Sequence, residues 1–195
     1  MKTSSIFVRR SSDLAFNIGL SALSFLAYVL AFKLTSYLPD TFKYAGWIYL
    51  IFLPAGTKLI CIMLFGIWGT IGDALALYWL ATEFLPNGTT GLWVIYALTS
   101  SMMTFFAIRF AMKAFSINHN LSNLQLWQLP FLSLIGAGIH GFITILDMVK
   151  IHLLHPTDYW TSSFAIVTGD FVGIFLVLMI FSLVTKRFVT HLSLD

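Results

Sequence analysis

The sequence reads Ile51-Phe-Leu-Pro-Ala-Gly-Thr-Lys-Leu-Ile60 and then Leu64-Phe-Gly-Ile-Trp-Gly-Thr-Ile-Gly-Asp73, within a mostly apolar run from Ala45 to Phe84. A run of this length and apolarity belongs in a membrane. A proline, a lysine and an aspartate inside it are unusual, because buried charge and broken backbone hydrogen bonds are costly in hydrocarbon. This stretch therefore predicts both the fold class and the candidate site.

The composition of the whole chain agrees with a helical membrane protein. The 195 residues are 58% hydrophobic and 10% charged, whereas soluble domains carry about 25% charged residues. The apolar residues occur in long runs and do not alternate with polar ones, which excludes a β-barrel. A single cysteine, Cys61, excludes a disulfide framework. We expect one all-α, polytopic domain over residues 1–195.

The apolar runs predict a bundle of about six transmembrane helices, and the second is predicted to be broken at Pro54–Gly56. The predicted spans are Leu14–Phe32, Tyr44–Phe65, Thr70–Phe84, Leu92–Met112, Pro130–Met148 and Ser162–Val184. A tight turn at Gly66–Gly69 is predicted to join the second and third spans. Residues 1–13 would be an N-terminal arm, 14–187 the bundle and 188–195 a tail. The stretch from Ser116 to Leu129 predicts a short interfacial helix.

The distribution of basic residues predicts that both termini are cytoplasmic. Seven basic residues lie at the predicted cytoplasmic ends (Lys2, Arg9, Arg10, Arg109, Lys113, Lys186 and Arg187) and three in the outer loops (Lys33, Lys43 and Lys150). This asymmetry follows the positive-inside rule. The six tryptophans fall near predicted span ends, as in an interfacial belt.

Lys58 is the residue that is most costly to place in the membrane. It lies 14 residues after Tyr44, which is about 20 Å along a helix. A lysine at the bilayer centre costs about 2.5–3.5 kcal/mol on insertion scales. Asp170 is a more distant carboxylate that Lys58 could meet. Asp73 falls at a similar depth on the next span, so a structural Lys58–Asp73 ion pair is one interpretation. The other is that Lys58 binds an anionic or carbonyl-bearing ligand.

The predicted helix break beside Lys58 has two interpretations as well. Pro54 lacks a backbone donor, and Gly56 adds backbone freedom. Irregular backbone of this kind is tolerated in membranes where it is buried in protein or lines a cavity. The segment is therefore either a simple proline kink or the wall of a ligand site.

His140 and Asp170 form a second candidate pair. Antiparallel packing of the fifth and sixth spans would place them at similar depth, where they form a structural hydrogen-bonded pair or a proton relay. The pattern Gly169-x-x-x-Gly173 predicts a close approach of these two spans. The predicted ligand-binding residues are thus Lys58, Pro54, Gly56, His140, Asp170 and Asp73.

Other chemistries lack support in the sequence. His152-x-x-His155 with Asp158 has no evident fourth ligand, so we predict no metal site. No cofactor, catalytic nucleophile with its base, or phosphate-binding loop is indicated, and we do not expect an enzyme. The basic residues act as topology signals, so no nucleic-acid partner is expected.

Three short motifs, Phe52-x-Pro-Ala-Gly56, Leu64-Phe-Gly-x-Trp-Gly69 and Gly169-Asp-x-x-Gly173, resemble the MASE-type integral membrane sensor domains of bacterial signalling proteins. Those domains are polytopic helical modules placed before a cyclase, phosphodiesterase or kinase. The resemblance implies a bacterial inner-membrane location and a sensory role. The carried-over positions are Pro54, Gly56, Gly169, Asp170 and Gly173.

The leading functional hypothesis is therefore an inner-membrane sensory or small-ligand-binding module. The chain ends at Asp195 without an output domain, so we expect it to act through a partner protein. One alternative is a transport component, because the length and span number are similar to those of the substrate-binding subunits of energy-coupling-factor transporters. Another is a structural subunit of a larger membrane complex. The lipid bilayer is a partner in every case.

Overall fold

The structure, a computed structural model, describes residues 13–45, 48–84, 89–150 and 158–192. These residues form six α-helices: α1 (Leu14–Ser36), α2 (Leu53–Phe65), α3 (Ile67–Phe84), α4 (Thr90–Ala114), α5 (Gln128–Lys150) and α6 (Tyr159–Leu192). Between α1 and α2 lie a 3₁₀ turn (Asp40–Phe42) and two short antiparallel strands, β1 (Lys43–Ala45) and β2 (Ile48–Tyr49). The prediction of a helical bundle is confirmed, apart from this small hairpin.

Four of the described helices are long and apolar enough to cross a membrane: Leu14–Ser36, Thr90–Ala114, Gln128–Val149 and Tyr159–Thr185. The shortest has 22 residues and spans about 33 Å, compared with a hydrocarbon core of about 30 Å. Large apolar side chains on these helices are exposed, as expected where they face lipid. The coarser prediction, a helical protein with several helices long and apolar enough to cross a membrane, is thus confirmed, with four such helices among the described residues where six spans were predicted.

The prediction of a second span broken at Pro54–Gly56 is wrong. The chain does not enter a helix at Tyr44, because Lys43 to Tyr49 forms the hairpin and α2 begins at Leu53. Pro54 therefore lies in the first turn of α2, where a missing N–H leaves no helical hydrogen bond unmade. The N–H of Leu53 donates to Thr35 Oγ1 of α1 (3.2 Å), which caps the start of α2. With 13 residues, α2 is about 20 Å long and too short to cross the core.

A single residue, Gly66, joins α2 to α3. Its φ of +62° is readily adopted only by glycine, and its N–H donates to the carbonyl of Ile62 (3.0 Å). The predicted turn extended to Gly69, but α3 begins at Ile67. Gly69 instead permits close packing of the two helices, because a Cβ there would lie 2.3 Å from the carbonyl oxygen of Cys61.

The first helix packs against α3 through small and polar side chains. Its buried face consists of Asn17, Ser21, Ser24, Tyr28, Ala31 and Thr35, at the three- and four-residue spacing of one helix face. Ser21 Oγ donates to the carbonyl of Trp68 (2.8 Å). A Cβ on Gly72 would lie 2.1 Å from the carbonyl oxygen of Ser21. Such close approach through small residues is typical of helix pairs in membranes.

The predicted interfacial helix after Ser116 is absent, and the described chain instead runs through turns until α5 begins at Gln128. Ser116 and Leu121 adopt positive φ values of 54° and 56°, which interrupt a right-handed helix. The Asn123 side chain holds this loop, since its Oδ1 accepts from the N–H of Asn118 (2.8 Å) and its Nδ2 donates to the carbonyl of Ser116 (2.7 Å). Leu121 is buried in the core beneath.

Candidate functional site

Lys58 lies at the centre of a hydrogen-bonded network that joins α2, α3 and α4. Its Nζ is 3.3 Å from Asp73 Oδ2 and donates to Ser100 Oγ at 3.0 Å. Ser101 Oγ donates to the same carboxylate oxygen at 2.5 Å. Lys58 is 2% exposed and Asp73 is 1% exposed. The sequence left two carboxylates as possible partners for Lys58, and the structure pairs it with Asp73.

This network has the geometry of a structural ion pair. Two charges are tolerated in a low-dielectric interior when they are close together and hydrogen bonds satisfy their remaining donors and acceptors. Lys58 contacts both Asp73 and Ser100, and Asp73 Oδ2 accepts from Ser101 as well. Asp73 Oδ1 has no partner in the described part of the chain. Neither charged residue lines the cavities described below.

His140 of α5 and Asp170 of α6 form the second pair, as predicted from their depths. His140 Nδ1 lies 2.7 Å from Asp170 Oδ2, and the two residues are 4% and 2% exposed. The ring of Phe52 stacks on the imidazole at 6.4 Å between centroids and 12° between planes. The other ring nitrogen, Nε2, is buried and has no hydrogen-bond partner among the residues that the structure describes.

A small cavity adjoins the His140–Asp170 pair. Its volume is about 50 Å³, and its walls come from the hairpin segment, α4, α5 and α6: Ile48, Tyr49, Phe52, Tyr96, His140, Thr144, Ile166 and Asp170. Tyr96 Oη and Thr144 Oγ1 are 3.4 Å apart. We call this space the inner cavity. Because one water requires about 10–15 Å³, the inner cavity has room for a few waters or a small chemical group.

A second cavity of about 60 Å³ lies beside the inner cavity. Tyr28, Phe32, Leu77, Leu80, Ala81 and Phe84 line it, and Phe52 and Tyr96 line both cavities. These two aromatic side chains therefore separate the two spaces. Phe52 contacts Phe32 edge-on at 6.4 Å on one side and His140 on the other.

Two glycines of α6 hold the segment from Tyr49 to Phe52 against that helix. A Cβ on Gly169 would lie 1.9 Å from the carbonyl oxygen of Tyr49, and one on Gly173 would lie 2.0 Å from that of Phe52. The N–H of Phe52 donates to the carbonyl of Gly169 (3.0 Å). The predicted contact between α5 and α6 is confirmed, but Gly169 and Gly173 themselves contact the backbone of residues 49–52.

The contact between α5 and α6 depends on another glycine, Gly141. A Cβ at this position would lie 2.6 Å from Val167 Cγ2. Gly56 has a similar role in α2, because its Cβ would lie 2.8 Å from the carbonyl oxygen of Gly173. Pro54 and Gly56, both predicted to bind ligand, thus start α2 and pack it against α6. Neither of them lines the inner cavity.

Several polar and aromatic residues of the site were not predicted from the sequence. They are Tyr96, Ser100, Ser101 and Thr144, together with Phe52, whose ring stacks on His140. The spacing within α4 contains a usable signal. Its buried positions include Trp93, Ala97, Ser100, Ser101, Thr104 and Ile108, which recur every three or four residues. A hydroxyl pair on that face of an apolar span indicates a buried hydrogen-bonding partner.

Some predicted features lie outside the described residues, including His152, His155 and the N-terminal arm with Lys2, Arg9 and Arg10. Within the described ranges, no group of three or more histidine, cysteine, aspartate or glutamate side chains is placed to hold a metal ion. Comparisons with protein-family models, curated proteins and solved structures found no match to this chain. Fold and site together define a helical membrane protein with two buried ionisable pairs, one of which adjoins a cavity.

Proposed function

We propose that this protein is an integral membrane module that binds a small ligand in the inner cavity and acts as a sensor through a partner protein. Two observations carry the proposal: His140 lines the inner cavity, and its buried Nε2 has no hydrogen-bond partner among the described residues. A buried polar atom without a hydrogen bond costs about 1–3 kcal/mol. A ligand that bonds to Nε2 recovers this free energy, and ionisable residues within membrane spans are typically functional.

The charges around the inner cavity favour a neutral ligand. The anionic ligand predicted from the sequence depended on a free Lys58, but Lys58 is paired with Asp73 and does not line the cavity. The charged side chain at the wall is Asp170, which would repel an anion. A neutral ligand with a hydroxyl group fits His140 Nε2, because a hydroxyl can either donate to or accept from that nitrogen, whichever role Nδ1 takes towards Asp170.

The size of the cavities favours a sensor over the transport alternative. Cavities of about 50 and 60 Å³ are far below the roughly 300–1,000 Å³ of typical cofactor or drug-sized sites. The helix that carries Asp170 also supports signalling. Its apolar part ends at Thr185, but α6 continues to Leu192, so a shift at Asp170 can be transmitted along the helix. On the predicted topology that end is cytoplasmic, and the membrane is the bacterial inner membrane.

The proposal is tested by native mass spectrometry of the full chain purified in mild detergent. We expect a bound small molecule in the wild type that is lost in His140→Leu. The matched control is His119→Leu, which removes an exposed histidine from the loop before α5 and should retain the molecule. A second variant, His140→Leu with Asp170→Asn, removes the carboxylate charge that His140→Leu leaves unpaired.

Four outcomes of this experiment decide between the hypotheses. Loss of the molecule in both His140 variants, with unchanged size-exclusion profiles, supports the proposal. A wild-type protein that carries no small molecule contradicts it, and so does equal retention in the His140 variants. Co-purification of a stoichiometric integral protein complex without any small molecule would favour the structural-subunit hypothesis instead.

A further inference from the structure

The largest of the described spaces lies on the outside of the bundle, next to the inner cavity. It is a groove of about 420 Å³ between the hairpin and the first turns of α6. Tyr44 and Leu50 form one side, and Trp160, Phe164 and Thr168 form the other. Trp160 is 80% exposed and Phe164 is 75% exposed. Because α6 is one of the spanning helices, this apolar groove opens towards lipid hydrocarbon.

The wall between the groove and the inner cavity is a single layer of chain. Tyr49 lines the inner cavity and the next residue, Leu50, lines the groove. On α6, Ala165 lines the groove and Ile166 lines the inner cavity. Successive residues of an extended segment point to opposite sides, so the segment from Ile48 to Phe52 separates the two spaces.

Backbone hydrogen bonds and side-chain packing both hold this wall in the described structure. The N–H of Phe52 donates to the carbonyl of Gly169, and the N–H of Leu50 donates to that of Phe42 (2.8 Å). The described hairpin has five strand residues and an irregular register. Ile48 is buried in an apolar cluster with side chains of α5 and α6. Entry from the groove into the inner cavity therefore requires the segment to separate from α6.

We propose that the ligand is a neutral amphiphile dissolved in the bilayer, and that it reaches His140 laterally through this groove. Its head is a hydroxyl group that bonds to His140 Nε2 in the inner cavity. Its apolar chain lies in the groove against Trp160, Phe164 and Leu50, so the bound state requires the segment from Ile48 to Phe52 to move away from α6. The volumes of the two spaces agree with this ligand class. The inner cavity has room only for a small head group, and the groove is about eight times larger. This inference rests on the proposed function and specifies its ligand class.

The test uses a photoreactive long-chain alcohol, a diazirine-bearing hexadecanol, with the full chain in phosphatidylcholine vesicles. After irradiation, the labelled peptides are mapped by mass spectrometry. We expect labelling of the α6 peptide that contains residues 160–168. Unlabelled hexadecanol should compete, whereas hexadecane, which lacks the hydroxyl, should not. This competition uses the wild-type protein and does not depend on the folding of any variant.

Variants locate the head and the chain of the probe. Thr168→Phe fills the groove and should abolish labelling. The matched control is Ile180→Phe, at an exposed position further along α6, and it should leave the labelling unchanged. His140→Leu should weaken competition by hexadecanol about fivefold, which is the effect of one hydrogen bond.

The failures of this inference and of the proposed function are distinguishable. Equal competition by hexadecane and hexadecanol shows a non-specific lipid groove and overturns the inference. A co-purified molecule that depends on His140, together with an unlabelled groove, also overturns it but leaves the proposed function intact. Absence of both the His140-dependent molecule and the labelling overturns both.

Discussion

Replacing Lys58 with methionine tests whether the buried ion pair ties α2, α3 and α4 together. Methionine keeps most of the length and apolar volume of the lysine side chain but removes its charge. The substitution leaves Asp73, which is 1% exposed, with a hydrogen bond from Ser101 and no cation within contact in the described structure. The uncompensated carboxylate is the main cause of the expected loss of stability.

The magnitude follows from the geometry of the pair. At 3.3 Å between Nζ and Oδ2, the attraction is about 5 kcal/mol for an effective dielectric constant of about 20. Removing one partner of a buried pair destabilises proteins by about 3–5 kcal/mol. We therefore expect Lys58→Met to lower the free energy of unfolding by about 3–5 kcal/mol. The exposed Lys33 provides the matched control. Lys33→Met should change the free energy of unfolding by about 0.5 kcal/mol or less.

The assay is a double-mutant cycle on the purified chain, unfolded in mixed micelles by increasing denaturing detergent and followed by tryptophan fluorescence. Asp73→Asn removes the carboxylate charge and keeps an oxygen that can accept from Ser101. The variant with both substitutions should be more stable than the sum of the two single effects predicts, by about 2–3 kcal/mol.

Two results would refute this reasoning. One is a Lys58→Met protein within about 1 kcal/mol of the wild type. The other is a double variant whose loss equals the sum of the single losses, because it would show that the two charges do not interact. Bound small molecule should be retained in a folded Lys58→Met protein. Its loss would return Lys58 to the role of a ligand-binding residue.

The remaining predictions use the same unfolding assay. Gly72→Ala should lower the free energy of unfolding by about 1–3 kcal/mol through overpacking, because the new Cβ would lie 2.1 Å from a backbone carbonyl oxygen of α1. The control is Gly138→Ala. Since nothing lies within 4 Å of a Cβ at that position, this substitution should be neutral or slightly stabilising. Gly169→Ala should destabilise by a similar amount to Gly72→Ala and also reduce ligand retention, because its Cβ would displace the carbonyl oxygen of Tyr49 and with it the wall of the inner cavity. Pro54→Ala should cost about 1–2 kcal/mol through lost burial of two ring carbons, since the first turn of α2 needs no hydrogen bond at this position. A gain of about 3 kcal/mol would indicate a proline inside a helix and would contradict the helix start at Leu53. Equal losses for Gly72→Ala and Gly138→Ala would contradict the packing of α1 on α3.

Much of the helical architecture was predictable from the sequence. Long apolar runs predicted the six described helices, because hydrocarbon leaves the backbone few other ways to satisfy its hydrogen bonds. The predicted start of α2 and the predicted end of α6 were wrong by eight or nine residues. The stretch from Tyr44 to Phe52 was the main error. It is apolar enough for a helix, yet the structure folds it as a hairpin and an extended segment on α6. Composition does not distinguish these outcomes, because the segment is sheltered by protein.

The two ionisable pairs were predictable by a depth argument. Counting residues from the span ends placed Lys58 near Asp73 and His140 near Asp170, and both pairs are present. The same argument did not reveal Ser100 and Ser101, because hydroxyl groups cost little to bury and do not stand out from an apolar span. The glycine pattern at Gly169 and Gly173 indicated a close approach, but a glycine does not specify which backbone approaches it. The backbone that does so is that of residues 49–52.

The sequence by itself thus determined that the chain is a helical membrane protein, and that its few buried charges must find partners of opposite sign or a cavity. These conclusions follow from the solvent, because bilayer hydrocarbon penalises every unpaired charge and every free backbone group. Only the tertiary structure decided that Lys58 is paired with Asp73 away from the cavities, while His140 lines the inner cavity and has one ring nitrogen without a partner among the described residues. That choice depends on how the hairpin segment packs on the α6 glycines, a contact between distant parts of the chain that no local pattern encodes.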